Sequence, residues 1–163
     1  MDMLLKGQSV LITGASKGIG QAAAFAFAAE GCTLHLAARS AEGLDALCRE
    51  IEDAHLGPVT THALDLSQSS NITRLAQACA EVDILINNAG EGPSGPIEAL
   101  SEEDWRRGYD LKLFGYIGLT RELYARMKAR RSGVIINDIG NSGENWDANY
   151  IAGSTANAAL MAF

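Results

Sequence analysis

Thr13-Gly14-Ala15-Ser16-Lys17-Gly18-Ile19-Gly20 is the stretch that decides how this chain folds. It follows the apolar run Ser9-Val10-Leu11-Ile12 and opens an alanine-rich helical pattern over residues 21–30. A glycine-rich turn between a strand and a helix brings bare backbone N–H groups to a helix N-terminus, a ready place for a nucleotide's phosphates. The spacing is G-x-x-x-G-x-G, not the commoner G-x-G-x-x-G.

Outward from that turn, strand and helix patterns alternate to the end of the chain. Residues 10–13, 32–38, 59–64, 82–86 and 134–139 read as strands. Helical patterns cover residues 21–30, with Gly31 as the stop, and 41–54, where Leu44, Leu47, Cys48 and Ile51 share one face. Ser67 is placed to cap a third helix that turns Ile72, Leu75, Ala76 and Cys79 inward. Ser101-Glu102-Glu103-Asp104 forms a capping-box pattern ahead of a long helix to about Arg131. A last helix starts near Tyr150. This order predicts one α/β domain over residues 1–163, doubly wound and Rossmann-like, its mostly parallel sheet covered by helices on both faces. The closing residues 158–163 are apolar with no stop signal. The expectation is a domain incomplete at its C-terminus, or a last helix packed on another subunit.

Composition agrees with a globular chain: 47% hydrophobic and 20% charged residues. A net charge of -7 argues against a nucleic-acid partner. An odd count of three cysteines, none in a Cys-x-x-Cys pair, predicts buried free thiols in a reducing cytoplasm. No run of about 18 apolar residues points to a membrane. His35, His55 and His62 lack metal-ligand spacing, so no metal site is expected. Trp105, Tyr109 and Tyr116 read as packing or interface residues, and Trp146 as a pocket, lid or exposed residue.

Three elements together resemble the short-chain dehydrogenase/reductase family. They are the T-G-x-x-x-G-x-G of Thr13 to Gly20, Asn87-Asn88-Ala89-Gly90 after the fourth strand, and Tyr150 at the start of the last helix. The resemblance covers essentially the whole chain, and the family's fold continues beyond it. It implies a nicotinamide cofactor held by Gly14, Ser16, Lys17, Gly18, Ile19 and Gly20, and by Asn88, Ala89 and Gly90. Asp65 and Leu66 would border the adenine, Asp65 reading equally as a helix N-cap or turn residue, and Tyr150 would touch the cofactor as well as the substrate. At the end of the second strand, Ala38-Arg39-Ser40 replaces the acid that selects NAD. A carboxylate would repel a 2′-phosphate, whereas Arg39 pairs with one. NADP(H) is therefore favoured over NAD(H), with Lys17 as a second cation.

Catalysis in the family resembles tyrosine acid–base chemistry. The phenol passes a proton to or from a small-molecule carbonyl or alcohol, helped by a lysine, a serine and an asparagine. This chain departs at three of the four positions: Ser154 stands for the lysine of Y-x-x-x-K, Lys112 for the asparagine and Gly140 for the serine. Two readings stay open. In one, Lys112 reaches Tyr150 from the neighbouring helix and Ser142 or Asn141 orients the substrate. In the other, the chain is a catalytically impaired NADP(H)-binding module. The resemblance also implies a homodimer or homotetramer, built through the long helix and the Tyr150 helix.

Overall fold

The computed structural model describes residues 3–163. Five strands, β1 (Ser9–Thr13), β2 (Thr33–Ala38), β3 (Val59–Ala63), β4 (Ile84–Asn87) and β5 (Val134–Asn137), form one sheet in the order β3-β2-β1-β4-β5. Every pairing is parallel. Each crossover carries helix: α1 (Gly18–Ala29), α2 (Ala41–Asp53), α3 (Ser69–Ala78), then α4 (Glu102–Tyr109) and α5 (Gly115–Arg130), with α6 (Ile151–Ala162) last.

Alternation along the strands divides the core in two. Val10, Ile12, Leu34, Leu36, Ile84 and Ile86 face α1 and α2, whose Ala24, Ala28, Leu44, Leu47 and Ile51 cover them. Leu11, Ala37 and Leu85 face the other way, under Leu75 of α3 and Leu119 and Leu123 of α5. Leu11, Leu44 and Leu75 are fully buried, each worth about 2 kcal/mol against exposure. The doubly wound fold read from the sequence is the one observed.

Several local expectations are corrected. α1 begins at Gly18, inside the glycine motif, and β4 and β5 are four-residue strands ending at Asn87 and Asn137. Ser67 does not cap α3; Gln68 holds the cap position without a side-chain bond. Asp65 Oδ1 instead accepts the Ser67 N–H at 3.0 Å, closing an Asx turn ahead of the helix. The long helix is broken by a π turn at Asp110–Phe114, between α4 and α5. The Ser101–Asp104 capping box forms as read, with Asp104 N–H donating to Ser101 Oγ and Ser101 N–H to Asp104 Oδ2. All three cysteines are free; Cys32 and Cys79 are buried, but Cys48 is only half-buried. Among the described residues no helix is long and apolar enough to cross a membrane.

Candidate functional site

β1 continues into β2 on one side, while β4 lies on its other side. That reversal opens a crevice outside the carboxyl ends of the strands, where ligands bind in open α/β sheets. A cavity of about 930 Å³ occupies it. Its wall takes residues from the ends of β1, β2, β4 and β5 and from the start of α6.

The glycine turn forms the floor. Gly14 and Gly18 have φ of +66° and +60°, conformations that favour glycine. A Cβ on Gly14 would meet Ala89 Cα at 2.8 Å. Gly14, Ser16, Lys17, Gly18 and Ile19 line the cavity; Gly20 does not. Gly20 is buried, and a Cβ there would lie 2.5 Å from Asn88 Nδ2 and from the Gly14 carbonyl oxygen, so its part is close packing. α1 has no side-chain N-cap and no acid in its first turn, leaving N–H groups and the positive end of the helix for an anion. These features suit a dinucleotide's phosphates.

The doubled asparagine ties this floor to the next wall. Asn88 Nδ2 donates to the Thr13 carbonyl at 2.8 Å and the Gly14 carbonyl at 3.2 Å, while Thr13 Oγ1 accepts the N–H groups of Asn88 and Ala89. Asn87 is buried and donates to Thr120 Oγ1 on α5 and to Asn137 Oδ1 on β5. Each asparagine thus spans two elements, with Ala89 and Gly90 left on the wall.

At the end of β2, Arg39 and Ser40 line the cavity, and Ser40 Oγ also caps α2 by accepting the Gly43 N–H. Arg39 is paired with Glu91, the residue after Gly90; both are exposed. Nothing in the sequence motif pointed to Glu91. Leu66 is on the wall, but Asp65 borders an adjoining hollow of about 500 Å³ that shares Arg39 and Glu91.

Lys112 sits in the π turn, a rare geometry frequent at functional sites. Its side chain lies along Gly90, where a Cβ would come within 2.8 Å of it. Lys112 Nζ donates to the Asp138 carbonyl at 3.0 Å and to the Tyr116 hydroxyl at 3.3 Å, and Tyr116 in turn donates to the Asp138 carbonyl at 3.1 Å. An ammonium has three donors, so one remains for the cavity that Lys112 lines. Burial lowers the Lys112 pKa, and the Asp138 carboxylate partly opposes that. Burial, with the same carboxylate, pushes the Tyr116 phenol well above its usual value. Tyr116 was read as packing; its i, i+4 spacing from Lys112 was the available signal.

Tyr150 lines the same cavity. Its hydroxyl lies over Gly92 and its ring over Gly153, where a Cβ would sit 2.0 Å from the ring. Among the described residues no hydrogen bond joins Lys112 to Tyr150; the lysine is held by Tyr116 and Asp138 instead. Ser142 Oγ is on the wall and accepts from Asn157 Nδ2 at 2.9 Å. Asn157 Oδ1 accepts the Gly140 N–H at 2.9 Å, so one buried α6 residue, absent from the sequence reading, holds both Gly140 and Ser142. Ser154 is buried away from the cavity and accepts the Asp147 N–H. Trp146 is 82% exposed and off the wall, whereas Tyr109 packs on Trp105 and bonds Thr155 on α6.

Comparison with known proteins agrees with this geometry. The family model for short chain dehydrogenase matches residues 8–163. The 3-oxoacyl-acyl-carrier-protein reductase FabG of Thermotoga maritima is 33% identical over 92% of this chain and 63% of its own length. Nodulation protein G of a Rhizobium species is 36% identical over 91% of this chain and 62% of its own length. L-sorbose reductase from Gluconobacter frateurii, solved with NADPH and L-sorbose, superposes with a TM-score of 0.94 at 30% identity, covering all of this chain and 64% of that one. A metagenomic short-chain oxidoreductase solved with NADP gives 0.90 at 35% identity, over 97% of this chain and 73% of that one. The chain therefore spans under two thirds of the length of the curated relatives it matches.

Proposed function

Because the chain belongs to the short-chain dehydrogenase family, we propose that it is an oxidoreductase acting between NADP(H) and a secondary alcohol or ketone, with Tyr150 as acid–base group and Lys112 as its electrostatic partner. The observation that carries this reading is the placement of a half-buried ammonium and a phenol on one cavity wall, beside an uncapped helix N-terminus. The nicotinamide, when bound, supplies or takes the hydride. The chain's own residues do the rest. The α1 N-terminus and Gly14 to Ile19 take the phosphates. Arg39 and Lys17 favour the 2′-phosphate, β2 itself ending without an acid, while Glu91 competes for Arg39. Tyr150 exchanges a proton with the substrate oxygen. Lys112 stabilises the phenolate that results, through its remaining N–H and its charge. Ser142, fixed by Asn157, orients the substrate.

Lys112→Met tests the pairing. Turnover is lost while NADPH binding is kept; unchanged turnover would remove Lys112 from the mechanism. A second reading, a nucleotide-binding module without catalysis, is favoured by the structural use of Ser154 and by the separate bonding of Lys112. It predicts NADPH binding with no consumption across a panel of carbonyls. We also place the partner subunit on α5 and α6, where Tyr124 and Met161 are exposed, and the enzyme in the cytoplasm, in line with its free cysteines.

A further inference from the structure

Away from the cofactor wall, three side chains from three elements converge. His35 lies on β2 and His62 on β3, in a register that pairs His35 with Thr60 and Ala37 with His62. The two histidines therefore point to the same face of the sheet, the face covered by α3. Cys79 follows the last residue of α3. None of the three lines the cofactor cavity.

His35 Nδ1 lies 3.1 Å from His62 Nε2, and Cys79 Sγ lies 3.6 Å from that same nitrogen. All three donor atoms fall within 4.8 Å of one another. Zinc bonds of ~2.0–2.1 Å to imidazole and ~2.3 Å to thiolate set tetrahedral ligand atoms about 3.3–3.6 Å apart. Two of the three separations, 3.1 and 3.6 Å, lie near those edges, and the third, no more than 4.8 Å, closes on the ion. Hydrogen bonding alone serves it poorly. His62 Nε2 carries either one proton or one lone pair, yet faces two partners. Burial lowers the pKa of both imidazoles, with His35 and Arg74 lowering His62 further, so their lone pairs are available at neutral pH.

We propose that His35, His62 and Cys79 form a binding site for a zinc-class divalent cation, with a fourth position open to water. The sequence spacing that argued against a metal missed it because the ligands meet through strand register, not along the chain. Binding balances as one divalent ion exchanged for the Cys79 proton, leaving a metal–thiolate bond and a net charge of one plus on the cluster. Burial raises the Cys79 thiol to about 12, so the metal itself must displace that proton, and affinity falls as pH drops. Only one unit of charge is added near Arg74. A bound ion ties β2, β3 and α3 together.

The test is titration of the chelator-treated, reduced full chain with cobalt(II). One equivalent should bind with a thiolate-to-cobalt charge-transfer band, release about one proton and be displaced by zinc. Cys79→Ser should abolish the band, His62→Gln should weaken binding by more than about tenfold, and Cys48→Ser should change neither. Absence of the band from the unmodified chain overturns the proposal without recourse to any variant. So does a band that survives Cys79→Ser.

Discussion

Replacing Tyr116 by Phe removes a single oxygen from the contacts that hold Lys112. Tyr116 does not itself line the cavity and reaches it only through Lys112 and the Asp138 carbonyl, so it acts as a positioning residue. A hydrogen bond to a charged group is worth about 1.5–3 kcal/mol. Lys112 is half-buried and keeps the Asp138 carbonyl at 3.0 Å, which places the loss at the lower end. A loss of about 1.4 kcal/mol from the charged form corresponds to about one pH unit. The burial that already lowers the Lys112 pKa is then less opposed, and the ammonium is lost earlier as pH rises. The alkaline limb of kcat for ketone reduction at saturating NADPH should move down by about one pH unit. The fold should survive, because the Asp138 carbonyl retains Lys112 as donor; about 1 kcal/mol of stability corresponds to a Tm drop of roughly 2–4 °C for a domain of this size. An alkaline limb that coincides with the unsubstituted protein's would refute this role. So would a fall in NADPH affinity that accounts for the whole loss of rate.

Other predictions concern the cofactor wall and the core. Glu91→Gln frees Arg39 from an exposed ion pair, so NADPH should bind about two- to fivefold tighter with NADH unchanged in fluorescence titrations. Asn157→Ala leaves the Gly140 N–H and Ser142 Oγ without their partner and should cost about 1–3 kcal/mol, read as a lower denaturation midpoint. In the absence of added metal, His62 is held neutral by burial, His35 and Arg74, its pKa lowered from 6.5. The unfolded chain therefore takes up protons first, so this stabilisation is present above pH 6.5 and is lost as pH falls through the lowered value. Thermal scans between neutral pH and pH near 5 should show a shallower decline for His62→Gln.

Local chemistry was legible in the sequence, and long-range geometry was not. The glycine turn, the alternation of strand and helix and the Ser101–Asp104 box depend on residues a few positions apart, and each formed, with shifted bounds for α1, β4 and β5. The π turn at Asp110–Phe114 has no local signature, and it lays Lys112 along Gly90 from a distant loop. Asn157 and Glu91 matter through partners 15 and 52 positions away, and Tyr116 through Asp138 as well as Lys112 four positions before it. The histidine–cysteine cluster depends on register between β2 and β3, which periodicity cannot supply. Asp65 illustrates a competition: its carboxylate serves the turn into α3, so a helix-entry role and a ligand-facing role look alike in sequence.

Label transfer tests the central claim most directly. NADPH carrying deuterium at its transferable position is incubated with a ketone panel and the unsubstituted protein, Lys112→Met or Tyr150→Phe, with NADPH binding measured in parallel. The account predicts a deuterated alcohol from the unsubstituted protein and none from either variant, although both variants still bind NADPH. Undiminished transfer by Lys112→Met, or NADPH bound by the unsubstituted protein with no label passed to any ketone, would contradict it.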